Sequence, residues 1–367
     1  MNFFCNGRAL ADATNVVSKA LAVNKNIPIL EGIKIKAKGK ELTLSAYNQE
    51  LYIEKTISAE IRTEGELVVN GKIFTDYANK MSGIERIEIS QGVENKLHIT
   101  YGKSDCEINF YEISNFPNIG EYEENVCIKM TQSDLKELLE RAIFCVALND
   151  TRILLRSCKL EVVGNNAVAV CSDGFRISIS KKVPYDKSGD FKAIILGKII
   201  SDVVKILDDS EDIVTISKYK NMIIFDLGST KIKSTTVDGD YYNYNANIPK
   251  NIKTELIVKK DELIECLNRA SIISREHYYN FVVFSVDGGL INILAESEKG
   301  RINENIECQH KGEEMKIGLN NKYVQEAVNK IKEDYVKIEI ENSTRPIIVR
   351  KVDGDEFLCV ILPVRIM

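Results

Sequence analysis

Nine cysteines, three histidines and a set of recurring lysines are the residues of this chain that could do chemistry, and each set points to a different kind. Thiolates and imidazoles bind metals or attack carbonyls, but only in particular arrangements. The cysteines stand at 5, 106, 127, 145, 158, 171, 266, 308 and 359 with no Cys-x-x-Cys pair. Neither a zinc site nor a disulfide framework is signalled. Cys145, Cys158, Cys171 and Cys266 fall at apolar positions of expected helices and strands, where cysteine acts as a small hydrophobe. His98, His277 and His310 lack the His-x-x-x-His or His-Glu-x-x-His spacing of a zinc site and read as surface residues. No Gly-x-Ser-x-Gly, no Gly-x-x-x-x-Gly-Lys-Ser/Thr and no Gly-x-Gly-x-x-Gly after a strand is found. Asp173 with its neighbouring carboxylates is the remaining enzymatic reading, and no activating base or metal cluster accompanies it. The expectation is a protein with no catalytic residue, no metal and no cofactor.

The lysines offer electrostatics instead. Gly71-Lys72-Ile73, Gly197-Lys198-Ile199 and Asn321-Lys322-Tyr323 each join a strand to an amphipathic helix. Lys72 and Lys80, Lys198 and Lys205, and Lys322, Lys330 and Lys332 are expected on those helices, where they could attract phosphates without reading bases. Asp76, Asp202 and Glu326 sit four residues after Lys72, Lys198 and Lys322. Solvated helix faces with local ion pairs are therefore the competing account.

These junctions recur about every 125 residues, the size of a domain rather than of a solenoid unit. Each copy should hold the same elements in the same order. A first helix is expected around Leu10, Ala13, Val17 and Leu21, then around Leu135, Leu138, Leu139 and Ala142, and again around Leu263, Cys266, Leu267 and Ala270. Hairpin turns follow at Lys38-Gly39-Lys40, Gly164-Asn165-Asn166 and Asp287-Gly288-Gly289, between period-two strands that are least clean in the third copy, at Leu290 and Ile291. The second helices carry Ile73, Phe74, Tyr77, Ala78 and Met81; Ile199, Ile200, Val203, Val204 and Leu207; and Tyr323, Val324, Ala327, Val328 and Ile331. Pro117, Pro249 and Pro363 close the copies, since proline suits a strand end. The expected fold is α+β, three modules of two helices packed on antiparallel sheets, spanning 1–123, 124–250 and 251–367.

Composition agrees with a well-packed protein: 44% hydrophobic, 28% charged and no tryptophan in 367 residues. Lysine and arginine total 49 against 54 acidic residues, a net charge of −5, which argues against a simple coating of nucleic acid. The apolar runs are shorter than the roughly 18 to 20 residues that cross a bilayer, and Met1-Asn2-Phe3-Phe4 is unlike a signal peptide. A cytoplasmic protein without a membrane partner is expected.

Four segments now carry a family resemblance: Asn26-Ile27-Pro28-Ile29-Leu30, Ser172-Asp173-Gly174-Phe175-Arg176, Asn320 to Tyr323, and Leu362-Pro363-Val364-Arg365-Ile366. Together, inside a threefold repeat, they make the chain similar to the bacterial DNA polymerase III β subunit, the sliding clamps, over essentially its whole length. The resemblance implies a homodimer closed head to tail into a ring around duplex DNA. Such a ring raises the local concentration of a tethered polymerase without catalysing anything. DNA polymerase, clamp loader and repair proteins are its implied partners. The alternative is a non-catalytic interaction platform that no longer encircles DNA.

The resemblance also implies sites. The loops after the first helices would add Asn24, Lys25, Asn149 and Arg152 to the lysines as DNA contacts, although Asn24, Ile153 and Leu154 replace basic and aromatic residues common there. A pocket for short, partly apolar peptide motifs would be walled by Leu155, Ser172, Gly174, Phe175, Arg176 and Ile177. Tyr242 and Asn247 would come from the following segment, with Asn320, Tyr323, Thr344 and Pro346 from the third module. The terminus would close it with Ile361, Leu362, Pro363, Val364 and Arg365. Arg176, Asn320 and Arg365 are expected to bind peptide carbonyls or a carboxylate. Cys106 facing Ile272 and Ile273 would form the dimer contact, with cysteine smaller than the apolar residue expected. Tyr241 to Asn247, Phe175 and the extra Met367 depart from the family pattern, which implies a specialised clamp.

Overall fold

The structure is a computed structural model, and it describes residues 1–22, 27–113, 116–117, 119–120, 126–277 and 279–366. Among the described residues six α-helices come in three pairs: α1 (Gly7–Val17) and α2 (Gly71–Lys80), α3 (Gln132–Ile143) and α4 (Gly197–Ile206), and α5 (Lys260–Ser274) and α6 (Asn321–Val328). Each begins where its sequence allows. Asn6, Asn70 and Asn320 cap α1, α2 and α6, each accepting a first-turn amide on its side-chain oxygen, which satisfies a donor that the helix itself cannot.

The three repeated junctions have a common cause. A Cβ on Gly71 would lie 2.5 Å from Leu21 Cδ2 and 2.8 Å from the Glu31 carbonyl oxygen, and one on Gly197 would lie 2.7 Å from Val146 Cγ1. Both helices start against the segment that follows the first helix of their own copy, and only glycine leaves the room. In the third copy Asn321 stands there, 1% exposed, and its amide donates to the Leu267 carbonyl oxygen at 2.9 Å. There the sequence meets the tight approach with a hydrogen bond rather than an absent side chain.

The chain divides into two compact units, Met1–Ser133 with Tyr185–Gly189 and Asp202–Thr236, and Asp134–Pro184 with Asp190–Ser201 and Val237–Met367. The first holds a 14-stranded sheet and the second a 12-stranded sheet. The middle copy supplies strands to both. In the first unit the strand Thr230–Thr235 pairs antiparallel with Leu51–Ser58; in the second, Arg176–Lys182 pairs antiparallel with Phe357–Ile361. The hairpins turn at the expected places, with Lys38 opposite Glu41, Val163 opposite Asn166 and Asp287 opposite Leu290.

The core follows the period of each element. Leu10, Ala13 and Val17 of α1 and Phe74 and Ala78 of α2 are fully buried, as are Leu263, Leu267 and Ala270 of α5. Leu290–Ser297, the least clean strand in sequence, alternates fully once folded, with Ile291, Ile293 and Ala295 inside. Of the expected core cysteines, Cys145, Cys158 and Cys171 are fully buried and Cys266 is 4% exposed. All nine cysteines are free thiols. No described helix is long and apolar enough to cross a membrane.

Two expectations need correction. Ile73, placed on the apolar face of α2, is 55% exposed, because the adjacent Phe74 already fills the core side of that turn. Second, α6 ends at Val328, so Lys330 and Lys332 are not on a helix. The chain leaves it because Ile331, 1% exposed, is drawn into the core, and the Lys330 carbonyl accepts a hydrogen bond from Arg141 Nε at 3.2 Å. The last strand stops at Ile361. Beyond it Leu362 N donates to the Phe175 carbonyl oxygen and Val364 N to the Gly318 carbonyl oxygen, both at 2.9 Å.

Candidate functional site

The end of that strand builds the candidate site, which lies wholly within the second unit. Ser172-Asp173-Gly174-Phe175-Arg176 forms a tight turn between two strands. Asp173 Oδ1 accepts from the amides of Phe175 and Arg176, both at 3.0 Å. Gly174 adopts φ +89°, a left-handed conformation that a side chain would oppose. Its amide donates to Ser172 Oγ at 3.1 Å. The turn throws Phe175 outward, 56% exposed, with its ring 6.5 Å from that of Tyr323.

Two concavities flank Phe175. One, about 590 Å³, is lined by Arg152 to Leu155, Ser172, Gly174 to Ile177, Tyr242, Asn247, Pro346, Val360 and Leu362. The other, about 700 Å³, is lined by Phe175, His277, Tyr279 to Phe281, Asn320, Lys322, Tyr323 and Leu362 to Arg365. Phe175 and Leu362 belong to both. The residues expected around one pocket are therefore brought together as two cavities with a shared wall. Thr344 and Ile361 line neither: Ile361 is fully buried, opposite Arg176 in the sheet, and Thr344 is turned onto Asn342 by hydrogen bonds from its amide and hydroxyl.

The first cavity is mostly apolar, with a floor of Leu155, Ile177 and Val360, each at most 8% exposed. Its altered wall, Tyr241 to Asn247, is internally braced. Tyr241 and Tyr242 stack with centroids 4.6 Å apart; Tyr241 Oη shares its one proton between the Ser157 and Val170 carbonyl oxygens, each 3.3 Å away. Tyr244 Oη donates to Glu161 at 2.7 Å. Burial pushes the Tyr242 phenol up to about 12 and raises that of Tyr323, so both remain protonated donors at neutral pH. Such a wall offers a ligand an apolar face with a few fixed polar atoms.

Arg176 does not do what its type suggested. Its side chain is 6% exposed, and every nitrogen is engaged inside the protein: Nε with Asp173 Oδ2 at 3.0 Å, Nη1 with Glu326 Oε2, and Nη2 with the Phe144 carbonyl oxygen at 3.1 Å. The guanidinium also lies 4.3 Å from the Tyr323 ring centroid. It holds the turn against α6, with three of its five N–H donors spent inside the protein and the side chain almost wholly buried. Asp173, the carboxylate considered for catalysis, is consumed by the same turn. Asn320 likewise spends its side-chain oxygen on the Tyr323 amide at 3.2 Å. Arg365 is exposed at the mouth of the second cavity.

The expected DNA contacts separate in the same way. Asn24 and Lys25 lie outside the described residues, as does Met367. Lys72, Lys80, Lys198 and Lys205 are exposed on α2 and α4, and Asn149 is exposed in the loop after α3. Asp202 pairs with Lys205 at 3.9 Å, three residues on, while Glu326 reaches Lys322 at 3.9 Å. Arg152 is tied to Asp150 by its amide and by two guanidinium bonds, of 2.9 and 2.8 Å, and lines the first cavity; Lys322 lines the second. Ile272 is 66% exposed on α5, and Ile273 and, in the first unit, Cys106 are half-buried.

Lys332 belongs to a charged knot with Glu137, Arg141 and Lys182. Glu137 meets Arg141 at 2.5 Å, Lys332 at 3.1 Å and Lys182 at 3.4 Å. Burial alone would raise the Glu137 carboxyl, but the three cations outweigh it and hold it below the ordinary 4.5. A depressed carboxylate stabilises the fold above its unfolded value, and that stabilisation disappears as pH falls through the folded value. Glu137→Gln should therefore cost about 1 to 3 kcal/mol at neutral pH. The gap should close below pH 4.5 when thermal midpoints of both proteins are followed against pH. A gap that stays constant down to acid pH would remove the charge from the account.

Ile153, Leu154, Val360, His277 and Tyr279 to Phe281 line the cavities without having been expected there. The aromatic density of the sequence directly after α5 was the available signal. Among the described residues no cluster of three metal-binding side chains occurs.

Comparison with known proteins turns on coverage. Models of the DNA polymerase III beta subunit match in chain order: its N-terminal domain at residues 1–120, its central domain at 129–243 and its C-terminal domain at 246–365. The chain belongs to the DNA polymerase III β subunit family. It is 28% identical over 361 residues to the beta sliding clamp of Staphylococcus epidermidis, covering 96% of each chain. Among solved structures it is similar to the DNA polymerase sliding clamp from Bacillus subtilis, with 26% identity, a TM-score of 0.95 and full coverage of both chains. A putative DNA polymerase III beta subunit from Eubacterium rectale gives 28% identity and a TM-score of 0.93. As in the family, three clamp domains of helices and antiparallel sheet make up the chain.

Proposed function

We propose that the chain is a DNA sliding clamp, the non-catalytic processivity factor of a replicative polymerase. The observation that carries this reading is the match of all three β subunit domains, in order, along nearly the whole chain. The module boundaries lie near residues 123 and 250, and two copies join head to tail through Ile272 and Ile273 on one and the Cys106 region on the other. Lys72, Lys80 and Lys198 face the encircled duplex, with Lys205 beside them partly held by Asp202, giving an attraction that depends on phosphate and not on sequence. Lys322, Lys330, Lys332, Asn149 and Arg152 contribute less, because several are already committed to Glu326, Glu137 and Asp150. The two cavities around Phe175 take the apolar anchors of partner peptides from polymerase, loader and repair proteins, with orientation set by the phenols and Arg365 rather than by Arg176.

Topology gives the test. Loaded onto nicked circular DNA, the protein should stay bound through a high-salt wash and leave when the circle is cut. Salt-sensitive binding that is indifferent to cutting would mean that it does not encircle DNA, leaving an interaction platform.

A further inference from the structure

The first unit carries a concavity of its own, of about 900 Å³, remote in chemistry from the cavities around Phe175. Its lining holds Lys34, Lys36, Lys38, Lys40, Lys231 and Lys233 against the carboxylates Glu41, Glu54 and Asp226. Pairing explains how the lysines come together. Along Gly32–Lys38, Ile33, Ile35 and Ala37 are buried while Lys34, Lys36 and Lys38 alternate onto the opposite face. Across the sheet, Lys34 is opposite Ser45, Ser45 opposite Glu54 and Glu54 opposite Lys231. Two lysine rims thus stand three strand spacings apart, about 14 Å.

Between the rims the floor is small and hydroxylic. Thr43 and Thr56 share a hydrogen bond of 3.1 Å, and Ser45 is 4% exposed. Two of the three carboxylates are already engaged: Glu54 accepts from Tyr52 Oη at 2.7 Å, and Asp226 pairs with Lys231 at 3.4 Å. Lys34 pairs with Glu66 at 3.1 Å. Lys36, Lys38 and Lys40 are exposed, and no ion pair is found for them among the described residues. In a chain of net charge −5 these three lysines are a local concentration of unspent positive charge along one rim of the trough.

We infer that the trough binds an extended acidic peptide segment of a partner protein, at a site separate from the apolar cavities. Lysines two apart on a strand are spaced by about 6.7 Å, and so are alternate carboxylates of an extended peptide. Rim and ligand therefore keep register over several residues, while the threonine and serine hydroxyls face the peptide backbone. Single-stranded nucleic acid fits less well, because it is held by exposed aromatic faces. Tyr52 is the one aromatic among the lining residues, and it is 9% exposed beneath Lys233, whose Nζ is 5.3 Å from its centroid.

The test is a titration of the full-length protein into a labelled oligo-glutamate peptide, read by fluorescence anisotropy at low and physiological salt. Binding should weaken with salt. It should fall about ten-fold in the double variant Lys36→Thr with Lys38→Thr, roughly 1.4 kcal/mol. Threonine suits an exposed strand, and unchanged thermal unfolding would show that the fold is kept. Lys311→Thr with Lys316→Thr, which removes two exposed strand lysines of the other unit, should bind like the parent. Equal affinity for all three proteins would overturn the proposal. So would displacement of the peptide by a single-stranded oligonucleotide of equal charge at lower concentration.

Discussion

Arg176→Ala should lower the unfolding free energy of the second unit by about 3 to 5 kcal/mol, the cost of breaking a buried ion pair and stranding its partners. Asp173 and Glu326, 13% and 33% exposed in their side chains, would lose their shared cation, and the Phe144 carbonyl would lose its donor. Arg176→Lys should recover only part of this, because a lysine amine cannot bond Asp173, Glu326 and Phe144 in the directions that a planar guanidinium takes. Peptide capture should weaken as well, since the same side chain sets Phe175 and Tyr323 against each other. Chemical denaturation followed by circular dichroism checks the first claim. A loss below about 1 kcal/mol would place this arginine with ordinary surface pairs.

Leu362→Asp should reduce affinity for a short peptide with two apolar anchors by about 100-fold while leaving unfolding nearly unchanged. The size follows from location. Leu362 is a wall of both cavities, and withholding one buried leucine contact costs about 1.5 to 3 kcal/mol before the new carboxylate is desolvated. The fold should survive because the side chain is 44% exposed, and its amide keeps the bond to the Phe175 carbonyl oxygen at 2.9 Å. Isothermal titration with the peptide gives the number. Affinity within about three-fold of the parent would move the peptide site away from these cavities.

The two results would separate two kinds of residue that look alike in sequence. Arg176 and Arg365 both read as ligand donors, yet one is consumed inside the protein and the other is exposed. Burial decided this, and burial is long-range: the partners of Arg176 come from Asp173, three residues away, and from Glu326, 150 residues away. Lys330 and Lys332 tell the same story. Helical spacing placed them on a charged face, but the core's demand for Ile331 ended the helix first.

Local pattern determined a good deal by itself. The glycine turns of the three hairpins and the apolar spacing of the three first helices each depend on a few neighbouring residues, and both were readable along the chain. The threefold recurrence of a glycine or asparagine before a lysine was equally plain. Its reason was not: the glycines stand where another segment comes within about 3 Å of a would-be Cβ, and Asn321 stands where a carbonyl from α5 needs a donor. Which lysines remain unspent, which arginine is a strut and which apolar side chains form a shared wall were decided only in the tertiary structure. Charge and apolar surface act through distance in space, and the pairing of strands and helices sets that distance.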